Sequence, residues 1–494
     1  MKNFYFFFLL LFALSSCQSN KNEPKTINLE VSNYAENFAL LLQYTSDFSL
    51  NSKLDSIKIP SGEKISLNEE LLANANSILK FKDDDQFTLA FSKYINQPIS
   101  IKLDLQKPDS IIVEGKQAKF IEYQLDQNKY WYKIYYDFDE KYSGLMKLDS
   151  KDFFLIQDSI TQLRLQFLDD YFKDADLENQ KDFVELERNK LIYVNLYDKV
   201  NTASPEFIKR LDIYGDSLSD TPITYSEHIN FSNPILFENA YYNKFIYAFI
   251  KKDIMLTNPD TKITYDFLLN NGFPIIDKWF IDAETNAIEK TIFLNTLIND
   301  AKIFNAEIDV EAFRNKIDEL EKSEYSKDYV SILDKNLDDL VEILSKVAVG
   351  KRAPDFSLTD ENGKIYKLSE MPNKTIVIDV WASWCAPCIA SFPKWNALAE
   401  KYKDNKNFEF LTVSLDKKTE LWKNGLEKHQ LEGLKLYAGE KAFKSDFAVN
   451  YNISAIPCYI VIDANGKIAL LNANFKELEE YTENHQVNNL TFLK

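Results

Sequence analysis

Histidine, cysteine and glycine are all scarce in this chain, and each scarcity excludes a class of protein. The 494 residues hold 3 histidines, 4 cysteines and 11 glycines. His228, His429 and His485 lie far apart and in no metal-ligand spacing, so no metal centre is expected. A disulfide framework would spread cysteines through the chain, whereas of Cys17, Cys385, Cys388 and Cys458 three fall in the last 110 residues. They read as a site. Basic residues are outnumbered, 58 Lys and Arg against 76 Asp and Glu, and the net charge of −18 comes with no basic stripe, which argues against nucleic acid as a partner. Nicotinamide, flavin and haem motifs are missing, and no cofactor is expected. What is there is a globular composition, 45% hydrophobic and 27% charged, long enough for about three domains of roughly 150 residues.

Long apolar runs are missing too, save one. Met1-Lys2-Asn3 is a short basic start, Phe4 to Leu14 is apolar over 11 residues, and Leu14-Ser15-Ser16-Cys17 follows. As a helix that run rises about 16 Å, too short for a hydrocarbon core of about 30 Å. The order is that of a secretory signal. The tetrapeptide ending at Cys17 is similar to a bacterial lipobox, in which cleavage precedes the Cys and its sulfur receives a lipid; the plainer reading is an ordinary signal peptide with an incidental Cys. The expectation is a signal peptide over 1–16, a tether over 17–25, and a mature chain held to a membrane in the periplasm by lipid on Cys17 alone.

Glycine divides the rest unevenly, five in 1–345 against six in 346–494. The carboxy-terminal part, 347–494, thus has the punctuation of a tight α/β domain. Between 26 and 149 the segments Ile27–Val31, Phe38–Tyr44, Phe87–Phe91, Ile99–Leu105, Ile111–Val113 and Phe120–Leu125 alternate between turn clusters, which predicts a β-rich domain. The aromatic run Tyr130-Trp131-Tyr132-Lys133-Ile134-Tyr135-Tyr136 reads as a further strand packed on both faces. From 150 to 346 helical spacing dominates. Val330, Leu333, Leu337, Leu340, Leu344 and Val347 form a stripe suited to a packed helix face or to a homodimer seam through 330–347. Gly350 and Pro354 end it and mark a boundary at 346–353.

The chemistry concentrates in Thr375-Ile-Val-Ile-Asp379-Val-Trp381-Ala-Ser-Trp384-Cys385-Ala386-Pro387-Cys388. A β-branched strand runs into a helix, and Cys385 falls at the junction, where unpaired backbone N–H groups and the positive helix end stabilise a thiolate. Cys388 returns to the same side of the helix, within reach of the first sulfur. Such a pair serves thiol–disulfide exchange, as attacker and resolver. It also occurs as half of a zinc site, for which no second half is recognisable, or as a structural disulfide, which over so small a loop gains little chain entropy. Asp379 is an acid inside an apolar strand. Buried, its pKa would rise towards neutrality and suit it to take a proton from Cys388; the plain alternative is a solvated strand-edge carboxylate. Ile456-Pro457 enters another strand, where a cis proline would free neighbouring backbone to pair with an extended substrate.

With Trp-Cys-Ala-Pro-Cys after an Asp-Val-Trp strand and Ile-Pro 69 positions beyond Cys388, the segment 348–494 resembles the thioredoxin superfamily. Ala353-Pro-Asp-Phe-Ser-Leu-Thr-Asp-Glu-Asn-Gly-Lys364, Pro393 and the insertion holding Leu421–His429 and Leu434–Tyr437 are similar to its TlpA/ResA-like extracytoplasmic branch, whose entry hairpin the AhpC/TSA peroxidase group shares. The resemblance implies a thioredoxin-like α/β fold, Cys385 as nucleophile, Cys388 as resolving thiol, Pro457 as cis-proline and Asp379 as buried proton acceptor, surrounded by Trp384, Ala386, Pro387 and Ile456. The expected substrates are disulfide-bearing exported proteins, and since no nicotinamide, flavin or haem motif is present the electrons must come from a membrane-embedded reductase. Departures are Ser391, where many such proteins carry Glu three residues after the second Cys, and Cys458, where thioredoxins usually have Thr. A peroxidase would need a Thr where Ala382 stands. The expected function is a lipid-anchored thiol–disulfide oxidoreductase acting as a reductant; a binding or scaffolding lipoprotein working through residues 26–345 is the alternative from another class.

Overall fold

The computed structural model describes residues 27–32, 39–45, 52–58, 64–67, 76–81, 84–92, 94, 97–104, 111–141, 150–202, 236–237 and 239–491. Cys17 and the signal and tether segments lie outside them. The chain divides into two compact units, 1–229 with 234–245, and 230–233 with 246–494.

Among the described residues the first unit holds eight strands in two sheets. β1 (Ile27–Ser32), β4 (Lys64–Leu67), β7 (Ile99–Asp104) and β8 (Ile112–Glu114) form one in the order β4-β1-β7-β8, with β1 and β7 parallel. β2 (Ala39–Thr45), β3 (Ser52–Lys58), β5 (Asn76–Phe81) and β6 (Asp84–Ser92) form an antiparallel second. Strict alternation buries Ile27, Leu29 and Val31 of β1 with Ile99, Ile101 and Leu103 of β7.

Past β8 the strand expectation fails. Phe120–Leu125 and the aromatic run at 130–136 belong to one helix, α1 (Ala118–Lys141). No glycine or proline interrupts the chain between Gly115 and Gly144, so nothing stops a helix once it starts. Phe120, Ile121 and Tyr123 pack on β1 and β7 together with Leu168 and Phe172 of α2 (Ser150–Phe172) and Phe183 of α3 (Gln180–Thr202). Tyr130 stacks on Phe167, and the Arg164 guanidinium lies 4.3 Å from the Trp131 ring centre. Aromatic side chains suit a strand or a helix equally once a partner surface covers them, and here helical neighbours supply that surface.

α4 (Ala240–Thr257) runs from the first unit into the second, where α5 (Tyr265–Trp279), α6 (Ala283–Phe304), α7 (Val310–Glu321) and α8 (Val330–Lys346) follow. Asp282 and Asp309 cap α6 and α7 by accepting two backbone N–H groups each. The stripe of α8 turns inward: Leu333, Leu337 and Leu340 are fully buried, against α6 and α7 of the same chain. These three leucines are covered within the chain, whereas Val330 and Leu344 of the same stripe are half-buried. α8 ends at Lys346, and Gly350, at φ +83°, turns the chain so that its N–H reaches the Ile468 carbonyl.

Then comes a mixed seven-stranded sheet, β9 (Ser357–Thr359), β10 (Ile365–Lys367), β11 (Thr375–Trp381), β12 (Phe408–Ser414), β13 (Leu434–Tyr437), β14 (Cys458–Ile462) and β15 (Ile468–Ala473), in the order β10-β9-β13-β12-β11-β14-β15. β11 lies inside, parallel to β12 and antiparallel to β14. α9 (Ala386–Tyr402), α10 (Thr419–His429) and α12 (Phe475–Thr491) share one apolar core with Val377, Trp381, Tyr459 and Val461. The opposite face gathers Ile376, Ile378, Val380, Ile460 and Ile462 with α11 (Asp446–Asn450). This is the thioredoxin-like α/β domain expected at the carboxy terminus.

Candidate active site

β11 is apolar on both faces, and its residues alternate between the two cores. Asp379, between Val377 and Trp381, therefore points to the side that carries α9. Beyond Trp381 the chain turns, with Cys385 N–H donating to the Ala382 carbonyl, and α9 begins. Cys385 is its N-cap, with extended backbone, and its Sγ accepts the Cys388 N–H at 3.2 Å. Pro387 falls in the first turn, where no N–H donor is needed. Cys385 and Cys388 are joined as a disulfide with Cα atoms 5.3 Å apart. Cys385 is 3% exposed and Cys388 not at all, while Trp384, Ala386 and Pro387 around them are exposed.

Asp379 is fully buried, and neither carboxyl oxygen has a hydrogen-bond partner among the described residues. Burial disfavours its charged form and pushes its pKa up to about 8. Its cross-strand neighbours are Thr412 on β12 and Tyr459 on β14. The Tyr459 hydroxyl donates to Ser391 Oγ at 2.8 Å, and Ser391 donates to the Cys388 carbonyl at 2.7 Å. Ser391, the departure noted in the sequence, thus occupies its place as part of a neutral hydroxyl chain.

The Ile456–Pro457 peptide bond is cis, and Pro457 is exposed. Cys458 pairs with Val380 and faces the core on the other side of the sheet from the disulfide. Its thiol donates to Asn472 Oδ1 at 2.8 Å, and burial pushes its pKa up to about 12. Among the described residues no group of three or more His, Cys, Asp or Glu could hold a metal ion.

One acid escaped the sequence reading. Asp416, in the loop after β12, is fully buried and accepts from Ser383 N at 3.0 Å, Ser383 Oγ at 2.7 Å and Ser414 Oγ at 2.9 Å. It fixes the turn two residues ahead of Cys385. In sequence Val413-Ser-Leu-Asp416-Lys reads as a charged loop, and only the Ser-x-Asp spacing hints at a local hydrogen bond. Removing the carboxylate in Asp416→Ala leaves Ser383 donors unpaired, at an expected cost of about 1–3 kcal/mol in denaturant unfolding together with slower exchange. Unchanged stability and rate would deny Asp416 this role.

The comparisons with known proteins concern the same segment. A family model described as Redoxin matches residues 348–487. The thiol-disulfide oxidoreductase ResA of a Bacillus cereus strain is 30% identical over 142 residues, 28% of this chain and 79% of that protein. The thiol:disulfide interchange protein DsbE of Vibrio cholerae is 33% identical over 135 residues, 25% of this chain and 65% of that one. A solved thiol-disulfide oxidoreductase from Bacteroides fragilis NCTC 9343 is 30% identical, with 27% of this chain and 98% of that one covered at a TM-score of 0.26. Through its carboxy-terminal Redoxin domain the chain belongs to the TlpA/ResA-like thiol–disulfide oxidoreductases of the thioredoxin superfamily.

Proposed function

We propose that the protein is a membrane-anchored, extracytoplasmic reductase of disulfides in exported proteins, working through the Cys-Ala-Pro-Cys centre. The observation that carries this reading is the asymmetry of the pair, with Cys385 capping α9 beside exposed Trp384 and Cys388 wholly buried in the core on the side of the sheet to which the buried Asp379 points. In the reduced protein the Cys385 thiolate, favoured by the helix N-terminus, attacks one sulfur of the substrate disulfide. A mixed disulfide forms, and the other substrate sulfur leaves as a thiolate that takes up a proton. Asp379, as its carboxylate, then accepts the Cys388 proton. The Cys388 thiolate attacks Cys385 Sγ, the second substrate thiolate departs, and Cys385–Cys388 becomes a disulfide. Two electrons have passed to the substrate. A membrane-embedded dithiol donor returns them in the next half-cycle.

Anchoring rests on the lipobox-like segment ending at Cys17. Among the described residues no helix is long and apolar enough to cross a membrane.

The direction of electron flow is tested by the reduction potential of the Cys385/Cys388 pair in the mature chain lacking Cys17, equilibrated against defined dithiol buffers. A value near about −270 mV, as in thioredoxin, is expected; one near about −120 to −180 mV would make the protein an oxidant or isomerase.

A further inference from the structure

The last carbonyls of a helix have no donor within the helix and must find one elsewhere. At the end of α6 they find it in the thioredoxin-like segment, next to the cis-proline. Asn452 Nδ2 donates to the Lys302 carbonyl and to Asn305 Oδ1, both at 2.7 Å. Ser454 Oγ donates to the Ile303 carbonyl at 3.3 Å, and Asn472 Nδ2 to the same carbonyl at 3.2 Å. Asn452 and Ser454 belong to the stretch that leads into Ile456-Pro457. Asn472, near the end of β15, also accepts the Cys458 thiol at the start of β14. Four hydrogen bonds thus pin the helix end to the chain entering β14 and to β15.

Asn305, in the left-handed conformation, then turns the chain away and leaves Ile303 and Phe304 as the last side chains of the helix. They are 38% and 48% exposed, beside a loop in which Ser454, Ala455 and Pro457 are exposed as well. A joint between segments needs the carbonyls of this turn. It does not need two consecutive large apolar side chains left partly exposed.

We propose that the last turn of α6 extends the docking edge of the dithiol site, with Ile303 and Phe304 receiving apolar side chains that flank the cysteine of a polypeptide substrate. The inference rests on the reductase reading and names what that reductase prefers. The occupant follows from continuity: Ser454, three residues before Pro457, holds the Ile303 carbonyl, and a chain along the Pro457 edge advances about 3.3 Å per residue, so a polypeptide has the reach to meet the helix end. A small disulfide has nothing to place there.

The test uses the full mature chain carrying Ile303→Ser and Phe304→Ser together, with two probes, a short disulfide-containing peptide with apolar residues beside its cysteines and oxidised glutathione. For the peptide, kcat/KM is expected to fall about tenfold, through KM, while the glutathione rate and the reduction potential stay as in the parent. Asn452→Ala with Ser454→Ala, which loosens the helix end without altering its apolar side chains, is expected to act in the same direction. An unchanged peptide rate, or equal losses with both probes, would overturn the proposal. If the parent protein reduces glutathione disulfide but not the peptide, the reductase reading itself falls, and this inference with it.

Discussion

Cys388→Ser is expected to stop turnover and to accumulate a covalent adduct between Cys385 and the substrate, while Cys385→Ser stops turnover and forms no adduct. Both losses should reach the order of 10³-fold or more, as when a covalent nucleophile is removed. The difference between them follows from place. In the proposed cycle Cys385, which caps α9 beside exposed residues, is the sulfur that meets the substrate, and Cys388, wholly buried, is the one that resolves. Cys458 cannot take over from either, since it lies across the sheet and its thiol is held protonated far above neutral pH. Mass spectrometry of the acid-quenched Cys388→Ser protein measures the adduct. Residual turnover near the parent rate, or an adduct mapped to Cys458, would remove the assigned order of attack. A phenotype that survives Cys385→Ser would favour a scaffolding role for the rest of the chain.

Asp379→Asn is expected to change two pH dependences at once. Asp379 has its folded pKa raised to about 8 by burial, against an ordinary value of 3.8. Between those values the folded state holds a proton that the unfolded state has released, so the stability of the parent falls as pH rises from about 4 to about 8. Below the lower value the penalty is absent, and above the upper one it is complete, on the order of a few kcal/mol. Asparagine removes this slope, so the variant should unfold at higher denaturant than the parent above pH 8 and with little difference near pH 4. The chemistry runs the opposite way. In the proposed cycle resolution of the mixed disulfide by Cys388 uses the carboxylate, so in the parent it should accelerate as pH rises through about 8, and in the variant that inflection should vanish while the first attack by Cys385 is largely kept. Rapid-mixing kinetics of the two steps separates them. Resolution unchanged in the variant near neutral pH would take Asp379 out of the mechanism, whereas a stability slope unchanged between the proteins would mean the carboxyl is not buried in solution.

Much of the site could be read from local sequence because its geometry is local. A strand running into a helix places Cys385 at the junction whatever lies around it, and a spacing of three returns Cys388 to the same side. Ile456-Pro457 likewise announces a special backbone at a strand entrance. The front of the chain shows the limit of such reasoning. Alternation located β1 and β7 because each has one buried face, but Phe120–Leu125 and Tyr130–Tyr136 went to a helix. An aromatic cluster carries no period of its own, and the partners that settle the matter, Phe167, Phe172 and Phe183, are some 30 to 60 residues away. The stripe of α8 was legible as an apolar face, yet its partner became known only when α6 and α7 were seen to cover it.

By itself, then, the sequence determined the carboxy-terminal fold, the two cysteines at a strand–helix junction and the acid within the strand, since each depends on residues close together in the chain and on a hydrophobic period that few folds share. Only the tertiary structure decided what holds that dithiol in place and what surrounds it. Asp416 reaches Ser383 from a separate strand end, Ser391 meets Tyr459 across the core, and the end of α6 is fastened by side chains some 150 residues further on. Hydrogen bonds of this kind join single polar atoms brought together by packing, and a single polar residue leaves no pattern in a sequence to show which distant partner will satisfy it.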